Sequence, residues 1–308
     1  MKISQEEKKT LKLDGYLPSR DGEHVAVRII TKNGVLSTED MAIISSVAKK
    51  YGKNQIAFTS RLTVEIPWIK YEDVPFVKEI FAKSGIESGG TGPKVRPLVS
   101  CKGTYCVFGL LDTQGYTKEL HELFYKGYRN VTFPHKVKIA VGGCPNNCVK
   151  PDLNDIGIVG QRVTVVDEDI CKNCQKCLVE SNCPIKAVKV ENKKVIIDKS
   201  KCNNCGRCIG NCPFNAVKST KDGCKIYVGG RWGKQISHAV ALNGTYTLDE
   251  AKAVVEKALL LFKDQGYQGE RFAVMMERLG ADYVKNTLAN DDLLLRKEEI
   301  ISAPIKVK

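Results

Sequence analysis

Apolar residues recur with two different periods early in the chain. His24 to Ile30 (HVAVRII) alternates as a half-buried strand does. Ser37 and Thr38 then offer N-caps before EDMAIISSVAKKYG, whose spacing predicts a helix stopped at Gly52. Ile56 to Ile66 (IAFTSRLTVEI) returns to a strand pattern, and Tyr71 to Lys83 reads as a second helix closed by Gly85. This β-α-β-α order predicts a small α+β unit. The Gly-rich stretch SGGTGPKVRPLVSCKGTYC marks a loop and the start of a new unit. Lys118 to Tyr128 reads as a helix, and Lys136 to Val141 (KVKIAV) as a strand running straight into GGCPNNC. From Gln161 to about Asp222 the pattern changes again. Two short strands, RVTVVD and KKVIID, each precede a run of cysteines, so this stretch is an internal repeat. KIYVGGRWG then resumes the earlier style, and a long helix from Leu248 to Gly266 and a polar, charged tail follow.

Composition narrows the class. The chain has 308 residues, 43% of them hydrophobic and 27% charged, as expected of a globular protein with two or three domains. MKISQEEKKTLKLDG has no apolar core of a signal peptide, and no apolar run approaches the about 20 residues that span a bilayer. A soluble cytoplasmic protein without a membrane span is the expectation. The net charge of +13 is scattered along the chain rather than gathered in a block. That distribution suits a solvated basic surface or bound anionic prosthetic groups better than nucleic acid.

Twelve of the thirteen cysteines fall into tight groups, which in a reducing compartment points to metal rather than disulfides. Cys171, Cys174 and Cys177, then Cys183-Pro184, are followed by Cys202, Cys205 and Cys208, then Cys212-Pro213. This is the bacterial two-cluster spacing, in which the last cysteine of each run ligates the other cluster. Cys171, Cys174, Cys177 and Cys212 are thereby assigned to one [4Fe–4S] cluster. Cys202, Cys205, Cys208 and Cys183 are assigned to a second. Zinc is the competing ligand for Cys₄ sites, but two C-x₂-C-x₂-C runs fit cubanes better. The first run departs from the standard, with five residues between Cys177 and Cys183. Cys101 and Cys106 (CKGTYC) with Cys144 and Cys148 (GGCPNNC) form two further pairs able to hold a third cubane. Gly142-Gly143 and Pro145-Asn146 suggest a backbone turning tightly around a bulky ligand. Cys224 has no partner in these patterns and reads as a buried structural thiol.

With these motifs in view, the chain resembles the siroheme-containing sulfite and nitrite reductases. The segments carrying the resemblance are VAVRIITKNGVLSTEDMAIISSVAKKYG, QIAFTSRLTVEIPWI, VRPLVSCKGTYC, KVKIAVGGCPNNC, YVGGRWG and GERFAVMMERLG, in the family's order. Within that family it is most similar to the siroheme-bearing subunit of the anaerobic sulfite reductases. The resemblance implies an α+β fold with a ferredoxin-like half domain over residues 1–90 and a siroheme/[4Fe–4S] domain over 91–160 and 225–308. The two-cluster ferredoxin domain over 161–224 would be an insert. Cys101, Cys106, Cys144 and Cys148 would hold the cluster, with Cys148 bridging to siroheme and Asn146 beside the cofactor. Arg96, Lys136 and Lys138 would bind the substrate anion, Arg28 would contact substrate or cofactor, and Arg61 would contact siroheme. His135 reads as a polar loop histidine.

Two features depart from the family. Its first cysteine pair usually encloses five residues, where CKGTYC encloses four. Its N-terminal strand often carries R-x-R, where Arg28 is followed by Ile30. The implied reaction is six-electron reduction of sulfite to sulfide, with electrons arriving through the insert from a ferredoxin or flavoprotein, in a homo- or hetero-oligomer. Nitrite reduction to ammonia is the alternative within enzymes. An iron–sulfur electron-transfer subunit lacking siroheme is the alternative outside them.

Overall fold

The computed structural model describes residues 4–308. In chain order the main elements begin with α1 (Gln5–Leu13), β1 (Tyr16–Pro18), β2 (His24–Ile29), α2 (Thr38–Tyr51), β3 (Ala57–Phe58), β4 (Val64–Lys70) and α3 (Val74–Ser84). There follow β5 (Val99–Ser100), α4 (Thr113–Leu120), β6 (Ile139–Gly142), β7 (Ile156–Val166), α5 (Leu178–Ser181), β8 (Val188–Glu191) and β9 (Lys194–Ile197). The remainder is β10 (Val217–Val228), β11 (Val240–Ala241), α6 (Leu248–Gln265), α7 (Phe272–Leu279), α8 (Ala281–Ala289), α9 (Asp292–Leu295) and α10 (Lys297–Ser302). Among the described residues no helix is long and apolar enough to cross a membrane.

The chain divides into two compact units. The first comprises Met1–Val99, Thr117–Ile139 and Glu256–Lys308. Its sheet runs β1-β2-β4-β3, with every pairing antiparallel. Along β2 buried and half-buried residues alternate, and Val25, Val27 and Ile29 enter the core against Ile66 and Ile69 of β4. Helices α2 and α3 bury Ile44, Val47, Val77 and Phe81 in the same core. The Ser37 side chain accepts from the Asp40 N–H, and Gly52 follows the last turn of α2. The stretch from Ile56 to Ile66 is broken rather than continuous. Phe58 is exposed, and Leu62 sits at φ 59°, so β3 and β4 are joined by a tight turn at Thr59–Thr63.

Two further segments differ from the sequence pattern. The helix expected from Lys118 to Tyr128 starts at Thr113 and widens into a π-helical stretch over His121–Lys126. The polar tail folds into four short helices that bury Phe272, Met275, Met276, Val284, Leu288, Leu293 and Ile300. Their apolar residues are too sparse for the helical period to stand out, and packing on α6 selects them. An aromatic stack of Tyr128, Phe133, Phe262 and Phe272 runs through this part, with ring centroids 6.3, 6.4 and 5.3 Å apart in turn.

The second unit comprises Ser100–Tyr116 and Ala140–Val255. Its sheet has the order β11-β10-β7-β6-β5. β7 and β10 pair antiparallel from Ile156↔Val228 to Val166↔Val217, with one bulge between Ser219 and Lys221. The lower half of this ladder, Ile156–Gln161, is buried, whereas the upper half emerges toward solvent. Cys224 lies in the buried part opposite Gly160, fully enclosed, and burial pushes its thiol up to about 12. The cysteine repeat is the connection at the open end of this hairpin, with β8 and β9 forming a small hairpin of its own.

Phe262 is fully buried between two rings, so Phe262→Ala is expected to cost about 3–5 kcal/mol. A urea titration of the variant against the parent protein measures this as a lower midpoint at unchanged slope.

Candidate functional site

Five cations converge on one cavity of the first unit. Arg28, Arg61, Arg96, Lys136 and Lys138 line a hollow of about 220 Å³ together with Thr59, Ser60, Thr63, Gly90 and Pro97. Arg28 points from β2 and is opposite Glu65 in the β2–β4 register, and its Nη2 lies 2.7 Å from the Glu65 carboxylate. The Arg28 Nη1 also donates to the Gly90 carbonyl at 3.4 Å. The turn at Leu62 delivers Arg61, whose Nη2 donates to the Pro97 carbonyl at 2.9 Å and reaches the Ile139 carbonyl at 3.5 Å. Arg61 is therefore held to the backbone behind the cavity.

Lys136 and Lys138 precede β6 rather than lying in it. They flank the fully buried Val137, which bridges to Val95 in parallel, so the alternation of an extended chain sends both lysines to one side. Arg96 follows Val95, and its N–H donates to the Val137 carbonyl at 2.8 Å, which fixes its place beside them. The Arg96 Nη1 donates to the Gly90 carbonyl, while its buried Nε has no hydrogen-bond partner among the described residues. Burial and the neighbouring Arg28 charge, with a further push from Arg271, draw the Arg96 guanidinium down to about 10, and Tyr125 opposes the fall. Glu65 is the acidic side chain paired to this cluster, so the hollow is a concentrated positive potential suited to an anion.

Tyr125 joins this group without any signal in the sequence. It lies in the π-helical stretch, is buried, and has its hydroxyl against Gly89–Gly90, the loop that also receives Arg28 and Arg96. A tyrosine in a helix carries no mark of such a role. His135 is half-buried, with its Nδ1 accepting from the Lys136 N–H at 2.8 Å.

The second unit brings Cys101, Cys106, Cys144 and Cys148 together. Burial raises the Cys144 thiol, the Asn146 N–H offsets part of this, and the charges of Cys101, Cys148 and Cys106 raise it further. The Gly143 N–H donates to the Cys101 sulfur at 3.1 Å, and Thr113 Oγ1 donates to the Cys101 carbonyl at 2.7 Å. Glycines are needed for approach rather than for turning. A Cβ on Gly143 would lie 2.9 Å from Gly103 Cα, and one on Gly109 would lie 1.9 Å from the Gly103 carbonyl oxygen. The turn itself is made by Asn147 and Lys150, at φ 57° and 50°. Asn147 is braced by Asp152 at 2.5 Å, and Asp152 in turn meets His238 at 2.8 Å. Asn146 and Cys148 are exposed at the mouth of the loop.

The cysteine repeat forms two further thiol-lined hollows. Cys171, Cys174, Cys177 and Cys212 line one of about 120 Å³. Cys183, Cys202, Cys205 and Cys208 line the other, and Cys202 is raised by burial and by the charges of Cys208, Cys205 and Cys183. Each hollow thus takes its fourth thiol from the opposite half of the repeat. Asn173 and Asn204 adopt matching left-handed conformations, at φ 51° and 54°, inside the two C-x₂-C turns. Among the described residues no three His, Cys, Asp or Glu side chains close on a single ion-sized point. A cubane does not require that, because its thiolates are spread over four irons.

Comparison with known proteins agrees with this layout. Residues 17–84 match the nitrite/sulfite reductase ferredoxin-like half domain, and residues 91–293 match the nitrite and sulphite reductase 4Fe-4S domain. The chain is 31% identical over 258 residues to the coenzyme F420-dependent sulfite reductase of Methanocaldococcus jannaschii, covering 82% of this chain and 40% of that protein. It is 28% identical over 169 residues to a subunit of the anaerobic sulfite reductase of Salmonella typhimurium, covering 50% of this chain and 48% of that one. The chain therefore spans less than half the length of either relative. Its fold is similar to the crystal structure of dissimilatory sulfite reductase I, with a TM-score of 0.69 at 21% identity over 92% of this chain and 72% of that chain.

Because a backbone oxygen blocks any side chain at position 109, Gly109→Ala is expected to destabilise the protein by about 1–3 kcal/mol. Differential scanning calorimetry reads this as a lowered Tm; an unchanged Tm removes the close-approach account of the cysteine loop.

Proposed function

Since the chain belongs to the nitrite and sulphite reductase 4Fe-4S domain family, an oxidoreductase family, we propose that it catalyses siroheme-dependent reduction of sulfite to sulfide. The observation that carries the reading is the convergence of Arg28, Arg61, Arg96, Lys136 and Lys138 on one cavity. A small oxyanion, or the carboxylates of a tetrapyrrole, is the complement such a cavity calls for.

The residues present fit the cofactors. Cys101, Cys106, Cys144 and Cys148 would hold a [4Fe–4S] cluster, with Cys148, the most open of the four, also reaching siroheme iron. Asn146, exposed next to it, would border the cofactor. The other eight thiols would hold two clusters in a ferredoxin-like insert over residues 161–224, with crossed ligation. Bound siroheme and its coupled cluster supply single electrons to the substrate's central atom.

The chain's own residues then have distinct tasks. Arg96 presents a buried, unsatisfied Nε and binds the anion. Arg28, oriented by Glu65, adds a second fork or meets a siroheme carboxylate. Arg61, tied to Pro97, braces the cavity from behind. Lys136 and Lys138 hold protons at Nζ that pass to the oxygens leaving as water, and their charges stabilise the anion meanwhile. The family resemblance, and the Salmonella relative's being one subunit of its enzyme, support a chain that works in an oligomer and receives electrons from a ferredoxin or flavoprotein. Nitrite fits the same cations, so side-by-side turnover of the two anions with a chemical reductant fixes the substrate.

Cys148→Ser is expected to abolish the siroheme bands and sulfite turnover while iron of the insert stays. Undiminished turnover in that variant rules out the assignment. Lys136→Ala and Lys138→Ala are expected to lower kcat by roughly a hundredfold each, with the anaerobic absorption spectrum unchanged. Normal steady-state kinetics in both would take them out of the active site. A fully loaded parent protein without Soret or red siroheme bands would leave only the role of an electron carrier.

A further inference from the structure

The two halves of the cysteine repeat are alike in spacing but not in surroundings. In the first half Cys174, Asn173, Gln175 and Lys176 are all exposed. In the second half the equivalent Cys205, Asn204, Gly206 and Arg207 are all part-buried. The difference arises where the second loop docks on β7. The Asn204 carbonyl accepts from the Arg162 N–H at 2.8 Å, and the Asn204 side chain donates to the buried Gln161 Oε1 at 3.1 Å. Gly206, at φ 66°, permits the approach, since a Cβ there would lie 2.9 Å from Arg162 Cδ. The first half carries Gln175 at that position and could not dock in the same way.

The docking leads toward the Cys101 set. Gly160, next along β7 from Gln161, packs on Gly143, where a Cβ would be 2.5 Å from the Gly143 oxygen. The Gly143 N–H in turn donates to the Cys101 sulfur. A second bridge lies beside this one. The Arg207 guanidinium covers the Phe108 ring at 4.1 Å, joining the residue between Cys205 and Cys208 to the loop two residues past Cys106.

We propose that the Cys202 half of the insert is its electron outlet, and that Arg207 and Phe108 are positioning residues holding it against the Cys101 loop. The Cys171 half, open to solvent and rimmed by Lys172 and Lys176, is the intake. The inference rests on the reading of all three thiol sets as cluster ligands. A low-potential flavoprotein supplies the electron. One electron then passes from the set held by Cys202, Cys205, Cys208 and Cys183, oxidised by one unit, to the set held by Cys101, Cys106, Cys144 and Cys148, reduced by one unit. No bond forms or breaks and no proton moves. Transfer between buried centres weakens steeply with any gap between them, so loosening the packed contact should slow this step alone.

The test uses the full chain loaded with its cofactors and no substrate. Iron content is measured first. The protein is then mixed with reduced flavodoxin, and freeze-quenched samples are followed by electron paramagnetic resonance. Arg207→Ala and Phe108→Leu are expected to slow reduction of the Cys101 set by about tenfold or more, with iron content and the rate of insert reduction unchanged. Phe108→Leu keeps apolar bulk, so it decides the matter if Arg207→Ala loses iron. Lys176→Ala, at the position equivalent to Arg207, is expected to leave the internal step unaltered. Full iron with an unaltered internal step in Phe108→Leu overturns the proposal, as does slowing of that step by Lys176→Ala. Iron sufficient only for the insert would instead overturn the reading of the Cys101 set, and this inference with it.

Discussion

The antiparallel ladder between β7 and β10 is the constraint on which the rest of the second unit depends. Its buried end belongs to the sheet that shapes the Cys101 loops, and its open end carries the cysteine repeat. Gly157 and Gly160 lie within that buried end because backbone atoms of Pro151 and Gly143 press on them. Side chains at these points would push apart the strands that let the thiols converge. The ladder's backbone hydrogen bonds are individually modest, but the register they set is not negotiable. A slip by one residue would turn Cys224 outward and the Gly160–Gly143 contact away. One hairpin therefore fixes both the shape of a thiol pocket and the place of the segment proposed to feed it.

The first unit solves a different problem, the crowding of like charges. Arg28 and Arg96 both reach the Gly90 carbonyl, and the fall of the Arg96 pKa reports burial and mutual repulsion rather than any favourable partner. Its guanidinium stays charged at neutral pH, so the folded state carries that unfavourable energy throughout. An anion bound in the cavity offsets it, and binding to the folded state alone stabilises the fold by mass action. A structural purpose would be served equally well by neutral hydrogen-bonding residues. The uncompensated charge is the mark of a ligand.

Much of this is legible in the residues. Ser37 and Gly52 bracket α2 because capping is local chemistry, and the cysteine spacings survive because ligand geometry is written in short intervals. The alternation of Lys136 and Lys138 about Val137 is present in the fold too, although the hydrogen-bonded strand begins only at Ile139. What escapes a reading of the sequence depends on contacts distant along the chain. The break at Leu62, the burial of the C-terminal helices and the place of Tyr125 beside Gly90 are set by neighbours that no short window contains. Gly142-Gly143 suggests a turn, but Asn147 and Lys150 make the turn and Gly143 makes room for another strand of backbone. The pattern locates the feature, and packing gives it a different cause.

The cysteine repeat shows how far packing can go without help. From Asp167 to Ala216 it spans 50 residues, yet its cluster of buried apolar residues is Val179, Val188 and Val217, with Cys177, Cys183, Cys208 and Cys212 packed around them. Segments of that size rarely bury enough apolar surface to offset the entropy of ordering them. The crossed arrangement of thiols makes each hollow a contact between the two halves, so whatever fills it ties the halves together. Filled by clusters, as proposed, the hollows would serve as the missing core, and binding free energy would become folding free energy. The asymmetry between Gln175 and Gly206 then follows from position on the ladder. Both halves need their thiols to bind, but only the half leaning on β7 needs a glycine to let Arg162 approach.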